Sequence, residues 1–147
     1  VWGWREYALV GKTDGVAFVD ISNPTSPKYV GYLKAHDNKQ GVWRDIKTYG
    51  DYAYIVADAV DHGIQIFDLR QLSSGSSPKE YQESGHFGLR QDGSRMTSIE
   101  FERLYQSYIT RVVDLDEPVE ERTAASEGYA QSIAINEDTG YAYVAGS

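Results

Sequence analysis

The chain contains no cysteine, one methionine, four prolines and three histidines in 147 residues. Without cysteine there are no disulfides and no thiolate metal sites in this segment. No run approaches the roughly 18 apolar residues of a membrane helix, so no span is expected here. No signal-peptide pattern opens the chain. Positive charge is scarce: 14 basic against 22 acidic residues give a formal charge of −8. That balance disfavours nucleic acid, whose binding rests on neutralising phosphates, and anionic membrane surfaces. The nucleophile elbow, the phosphate-cradling glycine loop and the His-Glu-x-x-His zinc motif are all missing. No glycosylation sequon survives, since Asn23 is followed by Pro24.

What is present is a repeated phrase. Gly15-Val-Ala-Phe-Val-Asp20 is echoed by Gly63-Ile-Gln-Ile-Phe-Asp68 and, more loosely, by Thr110-Arg-Val-Val-Asp114. A second phrase precedes the first: Tyr7-Ala-Leu-Val10, Tyr52-Ala-Tyr-Ile-Val56 and Tyr141-Ala-Tyr-Val144. A strand-rich unit repeating at about 40–50 residues points to a β-propeller blade or related array. The expected fold is therefore all-β, a propeller-like array of four-stranded antiparallel blades. The length holds only about three to four of them, so the array reads as incomplete, part of a longer protein. The units fall at about residues 1–35, 36–84, 85–127 (atypical) and 128–147 (partial).

Within the second unit, Val42 to Tyr49, Tyr52 to Ala57 and Ile64 to Leu69 read as strands, with Lys79 to Gln82 as the outer one. Val16-Ala-Phe-Val19 and Tyr54-Ile-Val56 are apolar runs, as expected of strands covered on both faces. Trp2 to Trp4 and Glu6 onward read as strands with too few turn residues between them for a hairpin. Over 98–108, a capping-box pattern with Phe101, Leu104, Tyr105 and Tyr108 on one face supports a short helix, while alternation supports a strand.

Topology brings the scarce histidines together. His62 lies in a second-to-third-strand loop, and His36 and His86 precede new units, so all three belong to one loop face with Asp37, Asp58 and Asp61. Imidazoles and carboxylates converging there could hold a divalent metal, zinc or calcium, or another ligand; the bland alternative is that loops are polar. Asp20 and Asp68 end third strands, where a short carboxylate accepts backbone N–H bonds and fixes the turn. Asp114, Asp116 and Glu117 offer a calcium-binding alternative to the same turn role, without any EF-hand spacing behind it. Trp2, Trp4 and Trp43 read as inter-blade packing rather than a sugar platform. No catalytic residue and no definite cofactor emerge.

Several stretches resemble a known group: Val1-Trp-Gly-Trp, Glu6-Tyr-Ala-Leu-Val-Gly, Phe18-Val-Asp-Ile-Ser-Asn-Pro, Trp43-Arg-Asp-Ile-Lys, His62-Gly-Ile-Gln-Ile-Phe-Asp-Leu and Ile135-Asn-Glu-Asp-Thr-Gly-Tyr-Ala-Tyr. Together they look like the choice-of-anchor B proteins, propellers related to LVIVD-repeat proteins. The likeness is close over residues 1–88 and 128–147 and poor between them. It implies secretion, often attachment to the cell surface, and a propeller scaffold. Separately, an open stack of blades leaves strand edges and blade faces bare, so binding of other proteins or self-assembly through them is expected. Three departures stand out. The family's loop after Trp4 is missing, the middle segment is atypical, and Ala130-Gln-Ser132 stands where the family tends to show Ala-His-Asn. The competing expectation is a metal-dependent propeller enzyme, of hydrolase or lyase type, using the histidine face.

Overall fold

A computed structural model describes residues 1–60, 62–73, 77–87, 132–138 and 141–145, most of them in strands. The first repeat forms β1 (Trp2–Trp4), β2 (Tyr7–Lys12), β3 (Gly15–Asp20) and β4 (Lys28–Lys34), joined in antiparallel order. The second forms β5 (Arg44–Tyr49), β6 (Tyr52–Ala57) and β7 (Ile64–Asp68). Then come β8 (Lys79–Tyr81), β9 (Gly85–Phe87) and a hairpin of β10 (Ser132–Asn136) and β11 (Tyr141–Ala145). The fold is all-β and propeller-like. The helix or strand expected over 98–108 lies outside the described residues.

Trp4 pairs with Tyr7, which makes Arg5-Glu6 a two-residue hairpin turn. Arg5 takes a left-handed backbone, φ 49°, to close it. The turn missing from the sequence reading is therefore supplied by two charged residues rather than by Gly or Asn.

A second correction concerns the outer strand of the second repeat. Lys79–Tyr81 does not take that place. β8 lies parallel to β4 in the first sheet, and β9 completes the second sheet against β7. The cause is local packing. Gly31 has no side chain, and a Cβ there would come within 2.2 Å of the Lys79 carbonyl oxygen. That gap admits β8, whose Tyr81 ring then packs edge-on against Phe18 (5.5 Å) and Phe67 (5.3 Å). Lys34 and Glu80 close the seam with an ion pair at 3.0 Å.

One core fills the space between the two larger sheets. Leu9, Phe18 and Leu33 meet Ile46, Ala53, Ile55 and Phe67, with Phe18 and Phe67 stacked at 4.9 Å. A second core joins the other face of the second sheet to the hairpin, through Tyr54, Val56, Ile64, Ile66, Ile133 and Ala142. Asp45 reinforces that junction, accepting from the Ser132 hydroxyl and the Ile133 N–H, both at 3.0 Å. Burial opposes the charged form of Asp45, but its hydrogen bonds to Lys47, Ile133 and Ser132 outweigh it and hold the pKa down.

The two larger sheets are buried differently. In β6 every residue from Ala53 to Ala57 is buried, as an apolar run predicts. In β2 and β3 burial alternates, with Ala8, Val10, Ala17 and Val19 only half-buried. The run Val16 to Val19 is therefore not covered equally on both faces.

Contacts between the first two repeats keep the repeat's own period. Trp2 Nε1 donates to Thr48 Oγ1, Trp4 Nε1 to the Gly50 carbonyl (both 3.0 Å), and Arg5 to Asp51 at 3.1 Å; each pair is 46 residues apart. Trp43 does not join this packing. It is 70% exposed, just before β5 begins. Its backbone is bound instead to Asp58, whose carboxylate accepts from the Trp43 N–H at 2.9 Å.

Candidate functional site

The three histidines meet at one end of the two sheets. His36 sits in a single 3-10 turn after β4, His62 just before β7, and His86 within β9. All are buried, at 4%, 0% and 5% exposure. The His36 and His86 rings stack in parallel, 3.4 Å apart and 5° from coplanar. His86 Nε2 donates to the His62 carbonyl oxygen. One ring thus comes from the turn after β4, and the other two from the second sheet, at the entry to β7 and within β9.

The partners fix the protonation pattern. Arg44 can only donate, so His62 Nε2, 2.8 Å from its guanidinium, must accept. The His62 proton then sits on Nδ1, 3.0 Å from the Gly63 carbonyl. His36 Nδ1 donates to Glu83 Oε1 at 2.8 Å. Glu83 Oε2 accepts from Gln65 Nε2 at 2.9 Å, and the same nitrogen donates to the Lys34 carbonyl at 2.7 Å. Three further Arg44 N–H groups donate to the carbonyls of Lys12, Thr13 and Lys39. It thereby ties the β2–β3 turn and the loop after His36 to the second sheet.

Electrostatics follow from this burial. Desolvation pulls both His62 and His86 down to about 4, with the neighbouring positive groups adding to the effect for His62. Both rings are therefore neutral at pH 7. Burial would raise the pKa of Glu83, but hydrogen bonds from His36 and Gln65 hold it below the usual value. A cavity of about 300 Å³ opens beside the network, bordered by His36, Asp37, Gln65, Glu80 and Glu83.

The structure joins some of the sequence-nominated residues and separates others. Asp37 is exposed, with a carboxylate oxygen 3.6 Å from His36 Nε2. Asp58 faces the Gly41–Trp43 loop and serves its backbone. Asp20 and Asp68 accept from the backbone N–H groups of Ser22 (2.8 Å) and Arg70 (3.0 Å), two residues on in each case. Asp61, Asp114, Asp116 and Glu117 lie outside the described residues. Among the described residues no three His, Asp or Glu side chains are placed to hold one metal ion between them. Four of the six ring nitrogens are also committed to hydrogen bonds with protein groups.

Sequence reasoning missed Arg44, Gln65 and Glu83. Gln65 carried a usable signal, because a polar residue interrupts the apolar run Ile64-Gln-Ile-Phe67. A buried amide needs partners, and Glu83 and the Lys34 carbonyl are those partners. Glu83 and Arg44 carried none, since acidic and basic residues are ordinary on loops and strand ends.

No curated protein and no solved structure matches the chain. The sequence profile of the LVIVD repeat matches residues 3–34, 40–83 and 127–147. The first match spans nearly all of β1 to β4, the second spans β5 to β8, and the third includes the β10–β11 hairpin. These matches cover well over half of its length, and the chain belongs to the LVIVD-repeat family.

Proposed function

We propose that this chain is an extracellular or cell-surface scaffold of the choice-of-anchor B kind, which binds other proteins and catalyses no reaction. The observation that carries this reading is how the histidine end is built. Its imidazoles are buried and bonded to protein groups, which suits a rigid wall better than a reacting centre. Beside that wall, Val42 and Trp43 stand 81% and 70% exposed. An exposed tryptophan next to a second apolar side chain is the usual chemistry of a protein-binding anchor.

The test has two arms. Protease added to intact source cells should remove the chain, and protection would overturn the surface placement. A photo-crosslinking residue at position 43 should capture a discrete partner protein; background labelling alone would overturn the binding role. The competing class, a metal-dependent propeller enzyme, is separated by metal analysis. Zinc or calcium bound one-to-one and lost in His62→Ala would favour it over the scaffold.

A further inference from the structure

The three imidazoles at the junction of the sheets answer differently to an added proton. His36 donates from Nδ1 to Glu83, and its Nε2 lies 3.6 Å from the Asp37 carboxylate, so a second proton there faces an anion. His86 donates from Nε2 to the His62 carbonyl, and its Nδ1 has no hydrogen-bond partner, so a proton on it breaks no bond. His62 is the exception. Its Nδ1 is 3.0 Å from the Gly63 carbonyl, and its Nε2 accepts from Arg44 at 2.8 Å. A proton on that Nε2 sets a donor against a donor and a cation against a cation. Arg44 cannot relieve the clash by losing a proton, because a guanidinium in a protein stays charged.

Arg44 is also the residue that holds the nearby loops. From the start of β5 it donates to the carbonyls of Lys12 at 2.7 Å, Thr13 at 3.1 Å and Lys39 at 2.8 Å. The first two belong to the β2–β3 turn region and the third to the loop after His36. Those segments also touch each other, since the Gly41 N–H donates to the Thr13 carbonyl at 3.0 Å. None of Lys12, Thr13, Lys39 and Gly41 belongs to either apolar core. The charged and titratable groups around the pair are few. His62 is faced by Arg44 of β5, His86 of β9 and His36 of the turn after β4. Arg44 has Asp14 of the β2–β3 turn, Tyr32 of β4 and Asp58 after β6 near it. Two carboxylates are therefore at hand for the guanidinium once the imidazole repels it.

We propose that His62 and Arg44 form an acid-released strap: a proton on His62 Nε2 expels Arg44, and the β2–β3 turn and the 39–41 loop come free of the second sheet while both cores stay packed. Burial holds His62 at about 4, so the strap is closed at pH 7 and opens as pH falls through 4. The strap does not depend on the surface-scaffold reading. Hydrogen exchange by NMR on the full chain, with a chelator present, tests it. Between pH 7 and pH 4, protection of the Arg44 Nε–H and the Gly41 amide, relative to free peptide, should fall at least about tenfold. The amides of Ala53 to Ala57 in β6 should keep theirs. Unchanged protection at Arg44 and Gly41 would overturn the strap. So would an equal loss in β6, which would mean that the whole fold opens. His62→Gln keeps an acceptor that does not titrate, so its loops should stay protected at pH 4. An undiminished acid response in that variant would also overturn the proposal. Should it fail to fold, Arg44→Met decides. Without the strap, its Gly41 amide should be equally unprotected at pH 7 and pH 4. A wild-type response there would show that Arg44 holds nothing, and would overturn the strap.

Discussion

The first and second sheets are written in nearly the same words and buried in different ways. Tyr7-Ala-Leu-Val10 and Tyr52-Ala-Tyr-Ile-Val56 occupy equivalent strands. Val10 is half-buried, while its counterpart Ile55 is fully enclosed. The second sheet lies between two apolar neighbours, the first sheet on one side and the β10–β11 hairpin on the other. In the first sheet only the face toward the second has such a neighbour among the described residues. A repeat phrase therefore specifies strands and faces, and its neighbours decide how much each face stabilises.

Paired truncations test this difference most directly. Ile55→Ala or Phe67→Ala should lower the unfolding free energy by about 4 kcal/mol, because each empties a closed core. Val10→Ala or Val19→Ala, at equivalent positions, should lower it by about 1 kcal/mol in a dilute monomer. Urea titrations of the four variants measure this, and equal losses in both sheets would erase the distinction.

Acid is the next largest lever, acting where the two repeats meet. His62 and His86 have folded values of about 4, against about 6.5 in an unfolded chain. Their neutral forms favour the fold. The contribution is complete above pH 6.5 and is lost as pH falls through 4. Each group would supply up to about 3 kcal/mol, less than additively because the two interact. Thermal melts between pH 7 and pH 4 should show a falling midpoint, and His86→Asn should flatten the profile. A midpoint indifferent to pH over that range would mean the rings are not desolvated as described.

Smaller effects sharpen the boundary between the sheets. Gly31→Ala should cost about 2 kcal/mol, since the added methyl meets the Lys79 carbonyl and the Tyr81 ring. Its signature is local: amide exchange in β8 should rise while β6 stays protected. Trp2→Phe removes the indole N–H to Thr48 and part of the ring under Lys47, and should cost about 1 kcal/mol. A loss several times larger would show that the inter-repeat hydrogen bonds, rather than the shared core, hold the two sheets together.

Strand identity was legible where the phrases recur, because alternation and tyrosine-rich starts are local properties. His36, His62 and His86 do meet, but the rule that certain loops share an end accounts for only two of them, because His86 lies within strand β9. The placement of β8 was not. Lys79-Glu-Tyr81 is too short to carry a period, and its partner is chosen by the absent side chain of Gly31. Nor was the turn at Arg5-Glu6, since a left-handed arginine has no composition signal. The interior of the site stayed hidden for a third reason. Whether an imidazole is exposed or spent on hydrogen bonds depends on Glu83 and Arg44, which are ordinary residues until the fold brings them to the ring.

The period-matched contacts constrain how such a chain can change over generations. Trp2 reaches Thr48, Trp4 reaches Gly50 and Arg5 reaches Asp51, always across the same 46-residue interval. Duplicating or deleting one whole unit preserves that interval for every remaining pair, and each new junction inherits ready-made partners. Inserting a single residue within β5 would shift Thr48, Gly50 and Asp51 together and turn alternate side chains to the wrong face. Genes for this architecture are thus free to grow or shrink in whole-repeat steps. Between those steps, length variation is confined to the loops.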